Sequence, residues 1–151
     1  LAFATQTTLS VDDTAEIISV LQFRFPDITG PRGEDICYAT TNRQKAVKDI
    51  AAGVDLMLVI GASNSSNSQR LVEVAKQAGA TDAILIADKN AIAWELTDQA
   101  GHIGLSAGAS APESLVQDVI QTLADRYDLK VTEHGHIRET VNFKLPPILS
   151  Q

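Results

Sequence analysis

Two rhythms of apolar residues run along this chain. Leu56, Met57, Leu58, Val59 and Ile60 form an unbroken apolar run, the pattern of a strand buried on both faces in the middle of a parallel sheet. Shorter runs at Asp82–Ala87 and His102–Ser106 predict two further strands, and Leu1–Thr5 reads as the end of another. Around them the apolar residues take helical spacing. Ile17, Ile18, Leu21 and Phe25 predict a helix from Val11 to Arg24, stopped by Pro26. Ala46, Val47 and Ile50 predict one from about Thr41 to Ala52, with Gly53 as its stop. Leu71, Val72 and Ala75 predict one from Asn67 to Ala78, ended by Gly79. Asn90–Gln99 reads as helical with Ile92, Trp94 and Leu96 partly buried, and Leu115, Val116, Val119, Ile120 and Leu123 form the stripe of a helix ending near Tyr127. Helix alternating with strand predicts an α/β unit over residues 34–126, a parallel sheet with helices on its faces. Asp27–Glu34, with Gly30, Pro31 and Gly33, reads as a linker before it. After it, Lys130–Glu133 and Thr140–Leu145 read as short extended segments, and Pro146–Pro147 precludes further helix.

Composition narrows the function classes. At 151 residues, 44% hydrophobic and 21% charged, the chain has the make-up of a globular domain. No apolar run approaches the roughly 20 residues that span a bilayer, and Leu1–Thr8 is too short and lacks the basic leader of a signal peptide. The first residue is Leu, already in a strand pattern, so part of a longer protein is expected to precede it. One cysteine excludes an internal disulfide and fits a reducing compartment. A formal charge of −7 argues against non-specific nucleic-acid binding, which needs a basic face. It also requires that any bound anion be held mostly by neutral donors and helix dipoles.

Such donors stand where loops meet helices. After Gly61 come Ser63, Asn64, Ser65, Ser66, Asn67 and Ser68, six short hydrogen-bonding side chains in a row. Loops after the carboxyl ends of parallel strands are where open α/β sheets bind ligands, and helix amino ends attract anions. Four junctions, Ser10–Asp13, Thr41–Gln44, Ser66–Gln69 and Ser110–Glu113, carry a hydroxyl with an acidic or amide side chain three residues on, the spacing of a capping box. Ser65, Asn67 and Ser110 are thus either ligands of a phosphate or helix caps. Cys37, flanked by Tyr38 and Thr40, precedes a helix; it is either a thiolate or metal ligand activated by the helix end or a buried free cysteine. Asp12, Asp13 and Asp35 fit support of helix starts. His102, His134 and His136 read as solvated surface, with Glu133 and Glu139 weak partners for any metal.

TQTTLSVDDT at Thr5–Thr14, GPRGEDICYATTNRQ at Gly30–Gln44, NSSNSQRL at Asn64–Leu71 and AGASAPE at Ala107–Glu113 occur in order. Together they closely resemble the C-terminal half of the 4-hydroxy-3-methylbut-2-enyl diphosphate reductase family (IspH/LytB), over essentially the whole chain. The resemblance implies a trefoil of three α/β lobes around a 4Fe-4S cluster, each lobe giving one cysteine, with Cys37 as the third. It implies that Thr7 and Thr40 lie near the reacting substrate and that Ser65, Ser66, Asn67 and Ser110 bind its diphosphate. The implied reaction is a two-electron, two-proton removal of an allylic hydroxyl, giving isopentenyl and dimethylallyl diphosphates, with a ferredoxin- or flavodoxin-like donor, in the cytoplasm or a plant plastid. The other two cysteines, the diphosphate-binding histidines and the glutamate proton donor belong to the half not present, and none of His102, His134 or His136 substitutes for them. On this reading 1–33 ends the second lobe, 34–126 is the third, and 127–151 is a tail packing on the first. A stand-alone α/β module that binds a phosphorylated metabolite without redox chemistry is the alternative, and the two readings part at Cys37.

Overall fold

The computed structural model describes residues 1–31 and 35–134. Leu56–Ile60 (β1) is the middle strand of a three-stranded parallel sheet, flanked by Asp82–Ile86 (β2) and Ile103–Ala107 (β3), and all five of its residues are buried. The register pairs Leu58 with Ile84 on one side and with Leu105 on the other. Successive side chains of a strand point to opposite faces, and β1 uses both. Met57 and Val59 enter one core with Val47, Ala51, Leu71, Val74 and Ala75, from the helices Tyr38–Ala51 (α2) and Ser66–Gln77 (α3). Leu56, Leu58 and Ile60 enter a second core with Ile92, Val119 and Leu123, covered by the one-turn helix Trp94–Thr97 (α4) and by Glu113–Ala124 (α5). The expected α/β lobe is therefore a three-layer sandwich. The second core is closed at its rim by Arg126, which lies over the Trp94 ring at 4.8 Å and pairs with Asp98. Hydrogen bonds from Arg126 and then from Tyr127 hold the Asp98 carboxyl below its ordinary pKa.

Helices joined to parallel strands by short connections run antiparallel to them, so α2, α3 and α5 all present their amino ends at the carboxyl edge of the sheet. Direct contacts fix this edge. Gly61 N–H donates to Ile86 O at 2.9 Å and Gly108 N–H to Ile60 O at 2.8 Å, which carries the ladder one residue past the strands. Arg43 of α2 donates from Nη1 to the Ala107 carbonyl at 3.2 Å. The first turn of α3 is let in by two glycines: a Cβ on Gly61 would stand 2.1 Å from Ser68 Oγ, and one on Gly108 2.3 Å from the same atom. At the other end of α3, Gly79 takes φ +107°, the left-handed stop that a side chain would strain.

The first α-helix, Val11–Arg24 (α1), is fastened to this sandwich by a buried amide. Gln44 accepts from Val11 N–H at 3.0 Å and donates to Leu9 O at 2.8 Å, and Asp12 and Asp13 pair with Lys48 and Arg70. Asp13 N–H also donates to Ser10 Oγ, the one expected capping pair whose hydroxyl caps its helix. Of the apolar residues assigned to the inner face of α1, Ile18 and Leu21 are half-buried, but Ile17 stands exposed, as do Val20 and Phe23, at 60, 60 and 91%.

Several expected boundaries move. Helix α2 starts at Tyr38, a turn earlier than the Thr41–Gln44 pair suggests, because Cys37 leaves extended backbone and nothing delays the helix after it. Gln44 is spent on α1, so Thr41 caps nothing. In α3 the cap is Ser65, not Ser66. At α5 it is Pro112, with no side-chain bond, so Ser110 is not a cap either. The helix expected over Asn90–Gln99 is a 3-10 turn, Lys89–Ala91, and then α4, because Ile92 is extended and drawn into the second core. Leu1–Thr5 contributes a single parallel bridge, Ala2 to Thr29. Asp35 supports no helix start; its carboxylate accepts from Thr5 N–H at 2.7 Å. Lys130–Glu133 forms no regular structure, and Thr140–Leu145, His136 and Glu139 lie outside the described residues.

The two glycines make separable predictions. Gly61→Ala and Gly108→Ala should each destabilise by about 1–3 kcal/mol in urea unfolding, the usual cost of overpacking. Adding Ser68→Ala should relieve much of the Gly108→Ala penalty, where the clash is with the hydroxyl. It should relieve little of the Gly61→Ala penalty, because Ser68 Cβ itself would be 2.6 Å away. Equal rescue of both would show that the seat is misread.

Candidate functional site

At the carboxyl edge the amino-end N–H groups of three helices are without intrahelical acceptors. Helices α2 and α5 carry no side-chain cap. In α3, Ser65 Oγ accepts from Ser68 N–H at 3.3 Å and from Ser68 Oγ at 3.0 Å, while Gln69 donates back to Ser63 O. This pinned turn directs Asn67 inward. Asn67 is 8% exposed, yet neither its amide nitrogen nor its amide oxygen has a hydrogen-bond partner. Buried polar groups are normally paired, since leaving one unpaired costs on the order of 1–3 kcal/mol. A carboxamide so placed is ready for a ligand, which answers the question of whether Asn67 is a solvated cap. Ser66 is exposed beside it.

The Thr5–Leu9 turn reaches the same edge through α2. Cys37 N–H donates to the Thr7 carbonyl at 3.1 Å, which sets Thr7 beside the cysteine. Cys37 is a free, exposed thiol at the N-cap position, so the buried-cysteine reading fails. Thr40, in the first turn of α2, is buried. Gln6 and Thr8 form one wall of a cleft of about 200 Å³ whose other wall is Ser66, Gln69 and Arg70. Beyond Gly108 the chain turns back with Ala111 N–H on Gly108 O, which leaves Ser110 exposed at the turn. Thr7, Cys37, Thr40, Ser65, Ser66, Asn67 and Ser110 are thus gathered at one end of the sheet. His102 and His134 are exposed; His102 precedes β3 at the opposite edge of the sheet, with Nδ1 3.9 Å from Asp55.

The family model described as LytB protein matches residues 1–124. The chain belongs to the LytB family. Among curated LytB relatives, it is 58% identical over 146 residues to the 4-hydroxy-3-methylbut-2-enyl diphosphate reductase of Gluconobacter oxydans, covering 97% of this chain and 44% of that protein. It is 59% identical to the reductase of Hyphomonas neptunium, covering 99% of this chain and 48% of that one. Among solved structures it is similar to the E-1-hydroxy-2-methyl-but-2-enyl-4-diphosphate reductase of Plasmodium falciparum, at 34% identity and a TM-score of 0.90, covering 97% of this chain and 46% of that one. The chain spans about half the length of the LytB proteins it matches.

A LytB protein raises the question of a metal cluster. Among the described residues no group of three or more His, Cys, Asp and Glu side chains could hold a metal ion. The exposed Cys37 thiol fits one corner of an iron–sulfur cluster, which needs several thiolates. Two groups at this edge carried no readable signal in the sequence. Ser68 is hidden among other serines, and its importance lies in the two glycines it touches. Arg43 looks like an ordinary helix-surface cation until Ala107 is brought beside it. No described helix is long and apolar enough to cross a membrane.

The caps are distinguishable by stability. Ser65→Ala should cost about 1 kcal/mol, the usual loss on removing a cap. Ser66→Ala should cost less than about 0.5 kcal/mol, as for an exposed surface substitution. Equal costs in thermal unfolding would contradict the assignment of the cap to Ser65.

Proposed function

We propose that these residues serve as the C-terminal half of a 4-hydroxy-3-methylbut-2-enyl diphosphate reductase, with residues 1–33 ending a second lobe, 34–126 forming the third, and 127–151 packing on the first of a three-lobed enzyme. The observation that carries the reading is the buried, unpartnered Asn67 carboxamide, at the same sheet edge as the exposed Cys37. Asn67, Ser65, Ser66 and Ser110 would bind the terminal phosphate of the substrate. Neutral donors and aligned helix N–H groups suit an anion in a chain of net charge −7. Cys37 would hold one iron of a 4Fe-4S cluster, whose other protein ligands come from the rest of the enzyme. When bound, the cluster supplies the two electrons, drawn from a ferredoxin- or flavodoxin-like donor, that reductive loss of the allylic hydroxyl consumes. Thr7, whose carbonyl accepts from Cys37 N–H, and Thr40, in the turn after it, would orient that leaving group and relay a proton to it. A cytoplasmic or plastid location follows from the same reading. An exposed thiol at a helix amino end favours it over a binding module without redox chemistry, which has no use for that group.

The test uses the full-length enzyme. Cys37→Ser should lose most cluster iron and all turnover, because an alkoxide is a poor ligand for soft iron. Asn67→Ala should keep the cluster absorbance and weaken substrate binding about ten- to a hundredfold, the effect of losing one charge-assisted hydrogen bond. Full iron and activity in the first variant would remove Cys37 from the site. Unchanged affinity in the second would leave Asn67 without the role assigned to it.

A further inference from the structure

In a chain of net charge −7, a cation without a counter-ion is conspicuous. The half-buried Lys48 pairs with Asp12, and the half-buried Arg70 with Asp13 and Glu73. Among the described residues Arg43 is the one half-buried cation with no carboxylate within 4.0 Å. Its Nη1 donates to the Ala107 carbonyl at 3.2 Å, and its Nε is buried with no acceptor. Ala107 ends β3, and the next residue, Gly108, faces the Ser68 hydroxyl. Asn67, with its own unpaired amide, adjoins Ser68. The guanidinium therefore stands directly behind the loop that carries Ser110 and close to the amino end of α3. A partly desolvated cation facing one carbonyl and no carboxylate is costly, and the cost falls when an anion arrives.

We infer that Arg43 is a positioning residue of the anion site: it fixes the 107–110 loop through the Ala107 carbonyl, and its charge, set behind Asn67 and Ser110, draws in and holds the terminal phosphate without touching it. The inference rests on the proposed function and adds the positive charge that the neutral donors lack. Two unit charges about 8–10 Å apart at an effective dielectric near 20 change affinity by about fifteen- to thirtyfold before salt screening, and screening brings this to about tenfold. The charge acts on bound substrate and on the transition state alike, so it should appear in KM more than in kcat.

The experiment compares Arg43→Gln, Arg43→Lys and Asn67→Ala in the full-length, cluster-loaded enzyme, with inorganic pyrophosphate as the probe and cluster absorbance and thermal unfolding as controls. Arg43→Gln should weaken pyrophosphate about tenfold and raise KM similarly, with kcat within about threefold of wild type. Arg43→Lys should stay within about threefold of wild-type affinity, because it keeps the charge while losing the planar fork. Native affinity in Arg43→Gln overturns the inference. So does a Lys variant as weak as the Gln variant, which would make Arg43 a tether alone. If Arg43→Gln does not fold, the Lys variant decides: native affinity supports the inference and a tenfold loss overturns it. Weakened pyrophosphate in Asn67→Ala with none in Arg43→Gln defeats this inference alone. No effect in either defeats it together with the proposed anion site.

Discussion

The site depends on how closely the first turn of α3 approaches the sheet. Ser68 is fully buried, and its hydroxyl lies where a Cβ on either Gly61 or Gly108 would collide with it. Two strand ends, β1 and β3, thus share one seat, and any larger residue at either would lift the helix. With the turn held down, Ser65 closes over Ser68 and Asn67 is turned into the protein with its amide unpaired. An unpaired buried amide costs folding free energy, which packing elsewhere in the lobe offsets. It is the kind of local inconsistency expected where binding, rather than folding, sets the sequence.

A second constraint brings the segment before the sandwich to the same place. The buried Gln44 carboxamide has both its oxygen and its nitrogen bonded to backbone across the start of α1. Asp35 accepts from Thr5 N–H, and Thr7 O accepts from Cys37 N–H. Four hydrogen bonds, made by Asp35, Cys37 and Gln44, therefore fix the Thr5–Val11 segment to the lead-in and first half of α2. That segment could not be placed by apolar pattern, since it has almost none. Its position is a matter of buried hydrogen bonds, whose loss would leave unpaired groups in a dry interface. Helix α1 exposes Ile17, Val20 and Phe23. These are apolar residues on a helix whose other face is already in use.

Much of the lobe was legible in the sequence because apolar periodicity is a direct record of burial. The unbroken run at Leu56–Ile60 is the doubly covered central strand, and the stripes at Leu71, Val72 and Ala75 and at Val119 and Leu123 face the two cores, although Val72 is only partly buried and Val74, which the pattern did not mark, is buried in its place. Helix starts were less legible. Capping-box spacing marked four junctions, and only Ser10 caps, because a hydroxyl three residues before an acid or amide does not fix where the backbone enters the helix. At Thr41 the box partner Gln44 serves α1 instead, and at Ser66 the cap moves back one residue to Ser65. The residues gathered at the site were readable by type and motif. What the sequence could not carry was the state of Asn67, buried and unpaired, or the nearness of Arg43 to Ala107, which joins residues 64 positions apart.

On the proposed function, the carboxyl edge of this sheet is an anion site built around Asn67. The most direct measurement is a crystal structure of the full-length protein with inorganic pyrophosphate. A phosphate oxygen should lie within hydrogen-bond distance of the Asn67 amide nitrogen, with Ser65 or Ser110 on the same phosphate and the α3 turn still seated on Gly61 and Gly108. Pyrophosphate bound elsewhere, with Asn67 paired to protein groups, would contradict it.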